Sequence, residues 1–494
     1  MNSEHPEPAT QTPARREHQL RRGTLGTLGV AFFVISAAAP LTAMAGGAPV
    51  AMLLGNGAGL PGAYLITAVV LLVFAVGYTT MSRHHTSTGA FYSFITRGLR
   101  QRAGGAAAYL ALLGYNAMQI GLWGLFGAAT AAFLADELGW SVPWWGATLV
   151  ALAVVAVLGY RQIDVSVKVL SVLVAAEFLI VLILGAVIAV KGGSFGTSGL
   201  SLQPLTPQAL VSGSLPIALL FCFASFVGFE ATAIYSEEAK DPKRTVPRAT
   251  YLAVIVIGAV YTLITWLMVN GAGIDQIPGY IAGLGDPTNF LFALSDSYIG
   301  GWYTAIMRVL FITSVFAAVL AFHNAVARYT YALGREGLLP EAAGRTHARH
   351  LSPHVGSVAQ SVLALAVVLV FVIAGLDPIL ALFTWLTNLG TLAVIALMAA
   401  TSFAVVAFFG RHRHLAHNTL RTVLAPTVAG VALVGVFIVA VANFDLLIGS
   451  TGFLAWFLPS LLVVFAVIGV AAAQIVKSRS PELYAEMGRH RESA

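Results

Sequence analysis

Apolar runs long enough to cross a bilayer recur twelve times in the 494 residues, and this recurrence limits the fold more than any other feature. A helix needs about 20 mostly apolar residues to traverse about 30 Å of hydrocarbon. The runs fall at roughly 25–54, 60–82, 104–134, 142–160, 166–190, 212–236, 249–270, 302–333, 356–375, 378–409, 422–442 and 452–476. Backbone polar groups in lipid must be satisfied within the segment, so such runs predict helices. The first, third, eighth and tenth exceed one crossing, which implies tilt or interruption. Only 10% of residues are charged and 58% are hydrophobic, whereas soluble domains carry about 25% charged residues. The expectation is an all-α membrane protein with twelve transmembrane helices.

Lysine and arginine orient the spans. Arg15, Arg16, Arg21 and Arg22 precede the first span, and Arg83, Arg97, Arg100 and Arg102 follow the second. Arg161 and Lys168 follow the fourth; Lys240, Lys243, Arg244 and Arg248 follow the sixth. Arg335, Arg345 and Arg349, then Arg411, Arg413 and Arg421, then Lys477 and Arg479 continue the pattern on the same side. The opposite loops hold Lys191 and acids such as Asp136, Glu137, Asp275, Asp286 and Asp377. The positive-inside rule therefore puts both termini in the cytoplasm of a multi-pass protein of the cell membrane. The net charge of +6 borders apolar spans, which argues for a lipid bilayer as the partner and against nucleic acid. The polar start lacks a cleavage site after a short apolar core, so it reads as a cytoplasmic tail over 1–24. The lone cysteine, Cys222, excludes an intrachain disulfide and reads as a small hydrophobe.

Two spans carry features that a lipid-facing helix avoids. The first reads "LGVAFFVISAAAPLTAMAGGAPVAML", with Pro40, Pro49 and Gly46-Gly47. The sixth contains "FCFASFVGFE", with Gly228 beside Glu230. Proline removes a backbone donor and clashes with the preceding turn. If the chain is two five-span halves, these spans correspond, and an odd number of spans per half inverts one half against the other. Interrupted segments at matching places point to a transporter site. A break bares amides at one half-helix start and carbonyls at the other half-helix end, which suit a carboxylate and an ammonium group. The other reading is a kink that merely shapes packing.

Few ionisable groups lie well inside a span. Glu177, half-way along the fifth, reads either as a site for a proton or a substrate amine, or as a hydrogen-bonded structural acid. Glu230 reads either as a cap on free amides or as a proton sensor. Arg308 reads as a side chain snorkelling to the outer face. The pair His323-Asn324 reads as a hydrogen-bonding group between helices. The run Glu237, Glu238, Lys240, Asp241, Lys243 and Arg244 reads as a solvated loop, or as an inner gate closed against Arg328 and Arg335. His84-His85 and "RHRHLAH" at 411–417 fit membrane-surface contact better than a metal.

"GFEATAIYSEEAKDPKRTVPRAT" resembles the sixth-span signature of the amino acid–polyamine–organocation permeases. "ARYTYALGREGLLP" (327–340) resembles that family's inner end of span eight, and "TGAFYSFITRGL" (88–99) its entry to span three. The resemblance implies the LeuT fold: a five-plus-five inverted repeat with discontinuous helices 1 and 6, plus two extra helices. It implies a first repeat over 25–190, an extracellular loop over 191–211 and a second repeat over 212–409. Two further helices would span 410–476, before a cytoplasmic tail at 477–494.

Site residues follow from the same resemblance. The span-one break aligns with Leu41-Thr42-Ala43, and backbone from Ala38, Ala39 and Pro40 through Ala43 would bind the substrate's charged ends. Span six would contribute Ala224, Ser225, Phe226 and Gly228; span eight Phe322; span three Gln119, on one helical face with Tyr115 and Asn116. Ala224 stands at the family's gating aromatic, so Phe223, Phe226 or Phe229 would close the site. Glu177 aligns with the lysine of proton-coupled members. Ala317 and Ala318 stand where sodium-binding hydroxyls would fall, which favours protons over sodium.

The expectation is a secondary active transporter importing amino acids with H+ as coupling ion, by alternating access, and not an enzyme. A polyamine or amino alcohol such as putrescine or ethanolamine is the alternative small amine-bearing solute. No HExxH, GxSxG or P-loop motif and no metal-spaced His/Cys set is present, so neither cofactor nor metal is expected. A channel would want a repeated filter or charged ring, and neither occurs.

Overall fold

The computed structural model describes residues 26–84, 90–161, 167–193, 199–230, 232, 239–347, 349–350, 352–416 and 418–488. Among these residues the regular structure is helical, and ten helices are long and apolar enough to cross a membrane. The chain starts in pieces: α1 (Thr27–Ala37), a π-helical turn (Thr42–Gly47) and α2 (Ala48–Leu54). Then follow α3 (Leu60–Ser82), the short α4 (Ala90–Leu99), α5 (Gln101–Leu138), α6 (Trp144–Arg161) and α7 (Val167–Lys191). After a 3-10 turn at Gln203–Leu205 and one helical turn at Pro207–Leu210 comes α8 (Leu215–Ala224), again short. It leads through turns at 225–230 towards α9 (Pro242–Ala272).

Between α9 and the next long helix two short helices occur, Ile277–Gly283 and α10 (Asn289–Tyr298). The remaining spans are α11 (Gly301–Arg335), α12 (His354–Ile373), α13 (Thr384–Arg411), α14 (Ala425–Ala442) and α15 (Phe453–Arg479). Where twelve spans are expected, ten helices of crossing length are found among the described residues; in the first and sixth runs the apolar helices described are the shorter 42–54 and 215–224. Helix α9 starts at Pro242, seven residues before the seventh apolar run. Proline at the first helical position has no amide to lose and a preset φ, so it starts the helix before the lipid.

Apolar burial gives little drive between helices in lipid, so they associate through close packing of small residues. The long α5 shows this. Gly105 lies against the backbone of Gly469 in α15, and Gly114 against Gly390 in α13. A Cβ at Gly105 or Gly469 would run into the opposing carbonyl.

On the side rich in arginine, a last helix, α16 (Pro481–Glu486), carries Met487 into a small apolar cluster with Tyr92, Leu333, Leu338 and Val476. Glu336 follows α11 and ties this segment down. Its Oε2 accepts from the Tyr92 hydroxyl and from the Gly488 amide, while Ser93 Oγ donates to the Gly488 carbonyl at 3.1 Å. Burial pushes the Glu336 carboxyl above the usual carboxylate range.

A raised acid binds its proton more tightly in the docked state. Docking is therefore favoured at low pH and weakens as pH rises from about 4.3, the free glutamate value, through the raised one. Hydrogen exchange at residues 481–488 should accelerate over that rise in the parent. Glu336→Gln, which stays neutral, should flatten the pH dependence; an unchanged profile would refute the assignment.

Candidate functional site

The first break begins with Pro40. It supplies no amide, and it drives the residue before it out of the right-handed helical region. That residue, Ala39, has φ of 43°, one of two positive-φ non-glycine positions among the described residues. Holding an alanine there costs about 1–2 kcal/mol, so the surrounding packing must impose it. The amide of Ala38 still closes α1 onto Val34, and the amide of Ala43 bonds Ala39. The interruption thus falls at Ala38–Ala39, not on Leu41-Thr42-Ala43 as the resemblance implied. Pro40, which stands just before that triplet, decides the position.

The amide of Leu41 donates to Glu177 Oε2 at 3.1 Å. Ser314 Oγ, from α11, donates to the same oxygen at 2.8 Å and lies 2.9 Å from Thr42 Oγ1. The buried Glu177 therefore joins α7, α11 and the residues just past the break. Leu41 was expected to offer its backbone to a solute; here Glu177 occupies its amide. The Ala38 carbonyl, at the end of the first piece, accepts from the Tyr261 hydroxyl at 3.3 Å.

The second break runs from Ser225 to Glu230. Phe226, Val227 and Phe229 each bond three residues back, so the chain continues in tight turns. Gly228 has φ of 111°, a conformation that glycine reaches at little cost. Its amide donates to Glu230 Oε2 at 2.8 Å, and the Tyr115 hydroxyl donates to Oε1 at 2.9 Å. The Tyr78 hydroxyl donates to the Glu230 carbonyl at 2.8 Å. Ser225 Oγ donates to the Phe221 carbonyl at 2.9 Å and lies 2.9 Å from the Tyr64 hydroxyl.

Other expected residues lie at varying remove. Pro40, Thr42 and Ala43 are buried with the first break, and Ala224 is half-buried at the end of α8. Gln119 is engaged by Gln360 of α12, at 2.7 Å; its neighbour Tyr115 makes the contact with the second break. Phe322 packs 6.3 Å, centroid to centroid, from Tyr115. Phe229 meets Phe74 edge to face, Phe226 meets Tyr261, and Phe223 is wholly buried. Arg328 lies exposed on α11, and the Arg335 guanidinium sits over the Tyr331 ring. Glu237 and Glu238 lie outside the described residues. Arg308 pairs with Asp136 and covers the Phe292 ring, so it links α11 to α5 and α10 instead of only snorkelling. His323 shares a 2.9 Å hydrogen bond with Ser357 of α12.

Sequence reasoning passed over Ser314, Tyr64, Tyr78 and Tyr261. The search for hydroxyls in span eight stopped at Ala317 and Ala318, although Ser314 lies one turn earlier on the same face. An apolar groove of about 520 Å³, lined by Leu110, Phe437, Leu462 and Val470 among others, lies between α5, α14 and α15. It offers no polar side chain and does not compete as a solute site.

These features define a polytopic helical membrane protein with an interrupted first helix and a run of turns after α8, each capped by a buried carboxylate. The chain belongs to the amino acid permease family, whose profile matches residues 25–473. It is similar to the low-affinity putrescine importer PlaP of Escherichia coli (strain K12), at 26% identity over 62% of this chain and 66% of the relative. It is similar also to the branched-chain amino acid permease BcaP of Lactococcus lactis subsp. cremoris (strain MG1363), at 24% over 60% and 65%. The BcaP of Bacillus subtilis (strain 168) matches at 22% over 67% and 68%. The first two matches span just under two thirds of each relative's length.

Gly228→Val places a branched side chain at positive φ. It should cut substrate uptake far more than it lowers the yield of monodisperse protein. Uptake at the parent's rate would move the functional break elsewhere.

Proposed function

We propose that the chain is a secondary active carrier importing a small amine-bearing organic solute by alternating access, with H+ as the coupling ion. The arrangement proposed is twelve spans, with Thr42–Leu54 and Leu215–Ala224 as parts of discontinuous helices 1 and 6 of a five-plus-five inverted repeat. The cell membrane is its location, with both termini cytoplasmic. Amino acids are the leading solute class, in line with the family and with a BcaP among the relatives.

One observation carries the coupling proposal: Glu177 bonds the first amide past the break and a hydroxyl on α11. Ionised, the carboxylate accepts from both. Protonated, it becomes a donor as well and loses the charge that holds the amide. Proton binding thus favours one packing of the break over another, the differential stabilisation that coupling requires. Glu230, which holds the Gly228 amide and the Tyr115 hydroxyl, is the second candidate.

A second reading has its own support. The buried charged side chains among the described residues include Glu177 and Glu230 but no lysine or arginine. Two acids without an opposing base suit a polyamine, and the putrescine importer among the relatives agrees.

Glu177→Gln in proteoliposomes decides the coupling role. With labelled branched-chain amino acids and putrescine as the panel, the variant should exchange solute across the membrane but fail to accumulate it under an inward pH gradient. Uphill accumulation equal to the parent would refute the role of Glu177 and pass it to Glu230. Accumulation that follows a sodium gradient would refute proton coupling.

A further inference from the structure

Two tyrosines outside the carboxylate caps connect the breaks to each other. Tyr64, on α3, shares a 2.9 Å hydrogen bond with Ser225, the first residue of the second break. Tyr261, on α9, donates to the carbonyl of Ala38, the last residue before the left-handed Ala39. Both side chains are wholly buried. Their rings meet edge to face, 5.6 Å between centroids at 76°. The Tyr261 ring also lies 6.1 Å from that of Phe226, within the second break.

The connection is crossed. Among the long helices, α3 is the next in the chain after the first break and α9 the next after the second. Each helix sends its tyrosine to the opposite break. The rings then join the two hydroxyl contacts into one continuous chain, from Ala38 through Tyr261 and Tyr64 to Ser225. If one break shifts, a buried carbonyl or hydroxyl loses its partner, which is costly where no water replaces it. The packed rings pass the displacement on, because close-packed interiors deform in steps and not continuously.

From this geometry we infer that Tyr64 and Tyr261 form a crossed brace that couples the two breaks, so that they loosen together. The tyrosines are positioning residues: they hold the backbone stretches proposed to line the solute path and do not themselves take the solute. The functional consequence rests on the carrier reading; the mechanical coupling does not.

Cys222, the one cysteine in the chain, provides the test. It is buried in α8, three residues before Ser225, so its reaction with a maleimide in excess reports opening at the second break. The protein is purified whole, placed in lipid nanodiscs, and the labelling rate is measured in the parent, Tyr64→Phe, Tyr261→Phe and the double variant. Phenylalanine keeps each ring and removes only the hydroxyl. Tyr261→Phe, which alters a bond to the first break alone, should speed labelling at the second by about fivefold, the scale of one lost hydrogen bond. The double variant should fall short of the product of the two single effects, because breaking either link already opens the chain; a full product would show two independent contacts and overturn the brace.

Tyr109→Phe is the control. It removes a hydroxyl that donates to the Leu338 carbonyl, beyond the inner end of α11. It should leave the rate unchanged; an equal rise would show general loosening and overturn the brace. A Tyr261→Phe rate equal to the parent's, with or without a rise in Tyr64→Phe, would also overturn it. Labelling needs no solute, so a parent that transports nothing in the panel refutes the carrier reading and leaves the brace to be judged on its own rates.

Discussion

The bond from the Leu41 amide to Glu177 makes the broken first helix tolerable inside a membrane. A backbone group without a partner in hydrocarbon costs several kcal/mol. Pro40 and the left-handed Ala39 create that liability, and the Glu177 carboxyl oxygen answers it by accepting the Leu41 amide. Glu177 is itself expensive to bury, and its donors, Leu41 and Ser314, are what make it tolerable. The helix break and the buried acid therefore require each other. That mutual requirement explains why α7 and α11 meet at the break.

The two caps differ in a way that bears on motion. At the second break Glu230 holds an amide two residues away, so the cap travels with the segment it serves. At the first, the acid and the amide are 136 residues apart in the chain and sit on different helices. Any displacement of α7 or α11 against the first break changes what Leu41 bonds. The first break's amide is thus capped across helices, whereas the second's is capped from within its own segment, with Tyr115 and Tyr78 steadying that cap from other helices. A device that must sense the arrangement of neighbouring helices is better placed at the first, which is why the coupling proposal centres on Glu177.

Around these breaks the structure relies on contacts without charge. Glycines set α5 against α13 and α15 at backbone distance, and tyrosine hydroxyls supply the remaining donors. Hydroxyls suit this setting: each satisfies a carbonyl or carboxylate without adding a second ion to desolvate. Charged side chains gather instead at the ends of the bundle, where Arg308 meets Asp136 and Glu336 holds the C-terminal segment.

The sequence by itself determined the helical class, the positions of the long apolar spans and the presence of two interruptions. Those follow from local rules, since span length, proline and glycine act on the backbone within a turn or two. It also marked Glu177 and Glu230 as exceptional, because a carboxylate in an apolar run is conspicuous. The family resemblance set the first break at Leu41-Thr42-Ala43, whereas the helix is interrupted at Ala38–Ala39, where Pro40 decides the geometry. The sequence put Gln119, Tyr115 and Asn116 on one helical face, but did not show that Tyr115 reaches Glu230 while Gln119 bonds Gln360. Which amide each acid caps, that Ser314 joins Glu177, and that Tyr64 and Tyr261 cross between the breaks were decided only by the tertiary structure. Each depends on how helices far apart in the chain are rotated and set in depth against one another, and that is settled by packing over the whole bundle.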